Sequence, residues 1–275
     1  MADNAFLLDT TKCTGCRGCQ VACKQWNGLP GEQTEFFAGP EYTNPRELSS
    51  ITWNHVKFFD VDRSNPEHPV WQIMHKKCFH CEDANCMKVC PERAISKVDG
   101  WVVIDQSKCI GCGACVNECI YHVPHIRQSD SKTYKCNACT VNEREIPACA
   151  FACPTGALTY GNRTALLQDA QSRLKKYTHA SRDAEGNEIP AVFPKAQLYG
   201  KDQFGGLKML VILKDRPSKY GLEENPRPLE ITKVEHMHDT YALLSMFTLG
   251  IPSLKRMAYR LSKSSTASSS DSKIS

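Results

Sequence analysis

The sequence contains no apolar run approaching the ~18 residues that a membrane-crossing helix requires. The nearest, Tyr241 to Pro252 (YALLSMFTLGIP), is too short and runs into Lys255 and Arg256. A secretory signal is also missing: Met1-Ala2-Asp3-Asn4 has no basic segment, and no apolar core follows it. The expectation is a chain with no transmembrane helix of its own and no signal peptide of its own. No organic-cofactor fingerprint and no nucleophile motif appears. No residue stands out as a catalytic acid or base, so a non-catalytic chain is expected. Apolar content (41%) and charged content (23%) are ordinary for a soluble protein.

Cysteine is where the chain is rich, with 16 in 275 residues. An even cysteine count can mean a disulfide framework, but such frameworks belong to short secreted chains. Reduced, metal-binding cysteines are the better reading. They fall into four groups of four with none left over. These are Cys13, Cys16, Cys19, Cys23; Cys78, Cys81, Cys86, Cys90; Cys109, Cys112, Cys115, Cys119; and Cys136, Cys139, Cys149, Cys153. The first and third read C-x2-C-x2-C-x3-C, the bacterial ferredoxin run. In it, three cysteines hold one iron–sulfur cube and the fourth reaches the other. Two-residue gaps let a short loop wrap three thiolates around one cube. The fourth is expected at the start of a helix, pointing away from that cube. Groups two and four only lengthen a loop. The alternative, zinc, prefers paired C-x2-C knuckles with a longer spacer. Four [4Fe–4S] clusters are therefore expected.

Which fourth cysteine crosses to which cube follows from the flanking residues. Cys90 is followed by Pro91, Ala94-Ile95, Asp99-Gly100, Ile104-Asp105, Lys108 and Cys109. That is a strand, a turn and a returning strand. Cys153 is followed by Pro154, Ala157 and a β-like Leu158-Thr159-Tyr160, whose return strand is the N-terminal Leu8-Asp9, Lys12, Cys13. The predicted ligand sets are Cys13, Cys16, Cys19, Cys153; Cys23, Cys136, Cys139, Cys149; Cys78, Cys81, Cys86, Cys119; and Cys90, Cys109, Cys112, Cys115. The rival, pairing groups in sequence order, breaks the matched hairpins.

The expected fold class is α+β: two nested bacterial-ferredoxin-like modules, a small inserted β segment and a C-terminal helical extension. Residues 1–23 and 134–160 form the outer module, 24–77 the insertion and 78–133 the inner module. A helix–strand extension covers 161–237, and a C-terminal helix with a disordered Ser-rich tail covers 238–275. Within the insertion, which begins as loop, residues 52–59 and 70–74 read as strands. Asn162 reads as an N-cap ahead of Leu166, Ala170, Leu174 and Tyr177 at helical spacing, with the helix ending near Thr178. Residues 207–213 read as a strand. A helix is expected over Asp239 to Leu261, either packing on the parent domain or docking to a membrane partner.

Gly15, Gly18, Gly111 and Gly113 would let backbone N–H groups approach cluster sulfurs. Ile110, Ile120, Val123 and Ile126 would shield the cubes. With few large apolar residues between the groups, the clusters themselves are expected to be the core. His55, His75, His80, His122 and His125 fall near the cysteines and are expected at the surface or beside the clusters rather than as ligands. Lys12, Arg17, Lys76, Lys77 and Lys135 read either as compensation of cluster charge or as solvated side chains. The formal net charge is +4. Four thiolate-bound clusters would add about −8, so a nucleic-acid partner is not implied.

The stretches CTGCRGCQVACKQWN (13–27), NPRELSSITW (44–53), CFHCEDANCMKVCP (78–91), CIGCGACVNEC (109–119), YKCNACTVNEREIPACAFACPTGAL (134–158) and RPSKYGL (216–222) carry a family signal. Here the chain resembles the iron–sulfur β subunits of molybdenum/tungsten-pterin formate dehydrogenases. The four-cluster pattern alone is shared with subunits for dimethyl sulfoxide, polysulfide, tetrathionate and nitrate reduction, and Cys139 argues against the nitrate type. The resemblance implies the same nested pairing. It implies electron transfer from a catalytic pterin-metal α subunit that oxidises formate. The acceptor would be a cytochrome or another membrane electron-acceptor subunit. It leaves the location open, either periplasmic by co-export with the catalytic subunit or cytoplasmic. The same relay in another molybdopterin oxidoreductase or a hydrogenase is the alternative reading.

Overall fold

The run Ala5-Phe6-Leu7-Leu8 has no polar face, as suits a strand covered on both sides. It forms β1 (Asn4–Asp9), and all four side chains are at most 1% exposed. The computed structural model describes residues 3–36, 42–62, 70–140 and 145–230. After β1 come α1 (Gly18–Trp26), β2 (His55–Asp62), β3 (Val70–Lys76), α2 (Asn85–Lys88), β4 (Ile95–Val98), β5 (Trp101–Ile104) and α3 (Ala114–Asn117). Then follow β6 (His125–Arg127), β7 (Lys132–Tyr134), α4 (Ala148–Phe151), β8 (Leu158–Asn162), α5 (Arg163–Thr178), β9 (Ser181–Arg182), β10 (Glu188–Ile189), β11 (Gln197–Tyr199) and β12 (Met209–Leu213). The C-terminal helix expected over 239–261 lies outside the described residues.

β1 is central to a four-stranded sheet in the order β11-β12-β1-β8. It pairs antiparallel with β8 (Phe6↔Tyr160) and parallel with β12 (Leu7↔Leu210). Strand alternation then sorts the side chains. Leu7, Leu210 and Ile212 face α5, whose Leu166, Ala170, Leu174 and Tyr177 supply the covering stripe. Asn162 caps that helix, its Oδ1 accepting from the Ala165 N–H at 3.1 Å. Phe6, Leu8, Met209, Val211 and Leu213 face the other way, toward the cysteines.

On that second face the expectation that the clusters alone form the core is corrected. Phe6, Phe79, Trp101, Tyr121, Tyr199, Phe204 and Tyr220 make an aromatic core, with Phe79 and Tyr121 stacked at 4.2 Å and Phe6 edge-on to Trp101 at 5.3 Å. These aromatics are spread over the whole chain, so no local window shows them as a group. The expected shield is also partly wrong: Val123 is buried, but Ile110 and Ile126 are 47% and 41% exposed. Nor does the insertion begin as loop. α1 continues to Trp26, because Lys24, Gln25 and Trp26 carry it past Cys23 to the left-handed Gly28.

The inner hairpin β4–β5 turns at Asp99 (φ 50°) and Gly100 (φ 79°), the paired left-handed residues that a two-residue hairpin needs. Its flanks repeat at the chain's start, bond for bond. The Asp105 N–H donates to Ala94 O and the Asp9 N–H to Ala157 O, each at 2.7 Å. Lys108 N–H donates back to Asp105 O, as Lys12 N–H does to Asp9 O. Ser107 and Thr11 N–H groups each donate to the carboxylate two residues before them, at 2.8 and 3.0 Å. The inserted β2 and β3 form a separate antiparallel ribbon with a bulge between Phe58 and Val61.

Leu210 is 0% exposed between sheet and α5. A Leu210→Ala change should therefore cost about 2–5 kcal/mol, seen as a lowered unfolding midpoint. That layer contains no cysteine, so the iron content of the folded fraction should not change.

Candidate metal centres

Each short helix begins one residue before the third cysteine of its group. Cys19, Cys86, Cys115 and Cys149 are the second residues of α1, α2, α3 and α4. The fourth cysteines, Cys23, Cys90, Cys119 and Cys153, follow four residues later. The expectation that the fourth cysteine starts a helix is thus corrected: the third does. The reason is the three-residue gap, which is one helical turn. Residues four apart lie on one face of a helix; α1 runs on through Cys23, whereas α2, α3 and α4 end two residues before their fourth cysteine.

The loop before each helix has a common backbone shape. The residue two after the first cysteine is left-handed in all four groups: Gly15 (φ 70°), His80 (φ 47°), Gly111 (φ 65°) and Ala138 (φ 56°). This twist turns N–H groups onto sulfur. His80 N–H donates to Cys78 Sγ and Ala138 N–H to Cys136 Sγ, each at 3.4 Å. Thr133, Ala94 and Leu158 N–H groups likewise donate to Cys109, Cys90 and Cys153 at 3.3 to 3.4 Å. No disulfide joins any of the sixteen cysteines.

Through-space charge identifies the neighbours of each thiol. Cys13 feels Cys153 and Cys16, and Cys19 feels Cys149, Cys13, Cys153 and Cys16. Cys23 feels Cys136, Cys139 and Cys149. Cys81 feels Cys78, Cys86 and Cys119. Cys115 feels Cys90, Cys109 and Cys112. Two of these quartets line cavities. Cys90, Cys109, Cys112 and Cys115 line one with Ile95 and Ile104. Cys23, Cys136, Cys139 and Cys149 line the other with Phe6 and Lys77. Burial, the largest cause in each case, pushes the thiols of Cys115 and Cys149 up to about 11 and Cys86 to about 12. Four thiolates at such a place need a cationic partner inside the cavity.

Among the described residues, no three Cys, His, Asp or Glu side chains converge as a single ion's ligands would. A tetrahedral zinc would draw its sulfurs to about 3.8 Å from each other. Quartets spread around a cavity suit a cube, in which each thiolate meets its own iron.

The cations near the quartets divide sharply. Lys77 and Lys135 are 1% and 5% exposed, whereas Lys12 is exposed. Burial pulls Lys135 down, but Cys78, Cys86, Cys136 and Cys119 more than reverse this, and its net shift is upward. Three of the histidines near the cysteines are deeply buried: His55, His75 and His80. His122 is exposed and His125 half-buried. Neither ring nitrogen of His75 has a hydrogen-bond partner. The sequence carried no signal for this burial, since 52–59 and 70–74 read only as strands with no covering element assigned. No helix among the described residues is long and apolar enough to cross a membrane.

Fold and site together define a ferredoxin-like iron–sulfur protein. Two sequence-family profiles described as 4Fe–4S dicluster domain match residues 12–94 and 69–163 and together span every cysteine. Two such domains and sixteen cysteines fit four [4Fe–4S] clusters. The chain belongs to the family of formate dehydrogenase iron–sulfur subunits. It is 33% identical over 233 residues to the nitrate-inducible formate dehydrogenase iron–sulfur subunit of Escherichia coli, covering 82% of this chain and 74% of that one. It is 32% identical over 230 residues to the formate dehydrogenase iron–sulfur subunit of Haemophilus influenzae (81% and 69%). The hydrogenase-2 operon protein HybA of Escherichia coli O157:H7 is 30% identical over 235 residues (75% and 69%).

A Cβ built on Gly111 would lie 1.7 Å from the Ser131 backbone oxygen. Gly111→Ala should therefore displace the loop and lose about four irons. Gly156→Ala, also left-handed but with nothing within 4 Å, should cost only about 1–2 kcal/mol and keep its iron. Equal iron loss in both would show that the steric argument is wrong.

His55 gives a pH prediction. Burial, the largest cause, pulls its imidazole down from 6.5 to about 4. The unfolded chain takes up a proton below about 6.5 that the folded chain refuses. Stability is thus complete above that pH and falls toward pH 4, by up to about 3 kcal/mol. His55→Leu should flatten the fall in unfolding midpoint between about pH 7 and pH 5. A slope equal to that of the parent protein would remove His55 as its source.

Proposed function

We propose that this chain is the non-catalytic electron-transfer subunit of a formate dehydrogenase complex and holds four [4Fe–4S] clusters. The ligand sets are Cys13, Cys16, Cys19, Cys153; Cys23, Cys136, Cys139, Cys149; Cys78, Cys81, Cys86, Cys119; and Cys90, Cys109, Cys112, Cys115. The outer module joins the first and fourth cysteine groups and the inner one joins the second and third. The bond-for-bond repeat of the two hairpins favours this pairing over sequence order.

One observation carries the relay reading: the quartets adjoin one another in a single order. Cys19 of the first feels Cys149 of the second. Cys136 of the second is felt by Cys78 of the third. Cys86 of the third feels Cys115 of the fourth. At the two ends, Cys16 and Cys112 are exposed. Bound clusters supply reversible one-electron storage at each position. The chain's residues do the rest. N–H groups aimed at Sγ atoms stabilise negative charge on sulfur. Val89, Ile95, Val102 and Val123 exclude water. The hairpins hold the spacing. Formate oxidation then belongs to a pterin-metal catalytic subunit, and a cytochrome or other membrane subunit takes the electrons onward.

The similarity to HybA favours a second reading, the same relay in a hydrogenase complex. Isolating the complex under anaerobic conditions separates the two: formate should reduce the clusters, and hydrogen should not. Reduction by hydrogen alone would replace the first reading with the second. The preparation should carry about sixteen irons per chain. A Cys86→Ser variant should alter the EPR signal of one cluster and leave three; an unchanged spectrum would break the ligand map.

A further inference from the structure

Every cysteine group is preceded by a lysine: Lys12-Cys13, Lys77-Cys78, Lys108-Cys109 and Lys135-Cys136. In the sequence these four dipeptides are equivalent. In the fold they separate into two kinds. Lys12 is exposed, and the Lys108 side chain is 61% exposed and pairs with Asp105 at 3.5 Å. Lys77 and Lys135 are 1% and 5% exposed. Lysine is almost never fully buried unless paired, because its charge must leave water.

Lys77 meets sulfur directly, and Lys135 is held by two carbonyls beside the sulfurs. Lys77 Nζ lies 3.9 Å from Cys149 Sγ and over the Phe6 ring, and its charge also reaches Cys23 and Cys78. Lys135 Nζ donates to Val102 O and, at 3.2 Å, to Cys136 O, and its charge reaches Cys78, Cys86 and Cys119. No carboxylate forms an ion pair with either among the described residues. Both cations therefore stand where the second quartet meets the third. At the first quartet the corresponding cation is Lys214, half-buried, which reaches Cys13 and donates to Trp71 O at 3.0 Å. The fourth quartet is lined instead by Pro91, Ala94, Ile95, Ile104 and Ile110 with Glu92 and Thr133, and by no cation among the described residues.

We propose that Lys77 and Lys135 are potential-setting residues: fixed, buried cations that raise the reduction potentials of the two central clusters above that of the fourth. This rests on the ligand sets given above. The physics is that adding an electron makes a cluster more negative. A positive charge in a dry neighbourhood stabilises that state far more than one in water. Lys77 serves chiefly the second cluster, through Cys149 and Cys23. Lys135 serves chiefly the third, through three of its four sulfurs. The relay thus has a centre that holds electrons more readily than the end formed by Cys90, Cys109, Cys112 and Cys115.

The test is an EPR-monitored redox titration of the anaerobically prepared complex. Lys77→Met should lower the midpoint of the second cluster, and Lys135→Met that of the third. Lys77→Arg and Lys135→Arg should restore them. Lys12→Met and Lys108→Met, which remove exposed charges, should leave all four midpoints in place. Added salt should not erase the shifts, because buried charges are poorly screened. Where a methionine variant assembles less iron, acetyl-lysine at the same position keeps the stem and removes the charge, and the same comparison is read. Unshifted central midpoints with iron complete would overturn the proposal. So would a Lys108→Met shift as large as those at 77 and 135. A parent preparation without four distinct clusters would instead overturn the ligand sets beneath it.

Discussion

Sixteen thiols gathered in four groups, most of them partly or fully buried, repel one another and resist ionisation, and nearly everything else in this fold answers that problem. Burial, together with the charge of neighbouring thiols, pushes Cys115 and Cys149 up to about 11 and Cys86 to about 12. A quartet becomes tolerable when iron sits inside it, when backbone N–H groups point at the sulfurs and when a lysine stands close by. The left-handed residue two after each first cysteine follows from the same need. At Cys78 and Cys136 that backbone twist brings an amide onto the sulfur while the chain curls back.

The helices are short for a related reason. Four of the five are short, and each has the third cysteine of its group as its second residue, with the fourth cysteine four residues on. With the ligand sets proposed above, the two cysteines serve different clusters, and each such segment ties two neighbouring clusters together. Adjacency is therefore built from covalent connectivity over four residues rather than from docking of separate domains. This is a rigid way to hold redox centres at fixed spacing.

The rest of the chain supports this assembly from one side. β1 is the return strand of the outer hairpin and also the middle of the sheet that α5 covers. Asp9 at its end accepts from Thr11, Arg173 and Tyr177 while fully buried. The strand that leads into Cys13 is thereby locked to a helix that contains no cysteine. The aromatic core between sheet and quartets gives the chain apolar burial of its own, so the clusters share the work of holding the fold together.

The outer strand pair, Phe6 with Tyr160, was legible because its flanks repeat those of the inner hairpin; the four cysteine groups and the inner hairpin were legible because each depends on residues within about thirty positions of one another. The α5 helix with its Asn162 cap was legible for the same reason. Other features came only with the tertiary structure. The parallel pairing of β1 with β12 joins residues some two hundred positions apart, and no local pattern encodes a partner at that distance. The aromatic core is likewise assembled from distant segments. Lys12, Lys77, Lys108 and Lys135 each stand directly before the first cysteine of a group, yet two are buried and two are in solvent. Whether a charge lies in water or between sulfurs is decided by what packs over it, and only the folded chain supplies that cover.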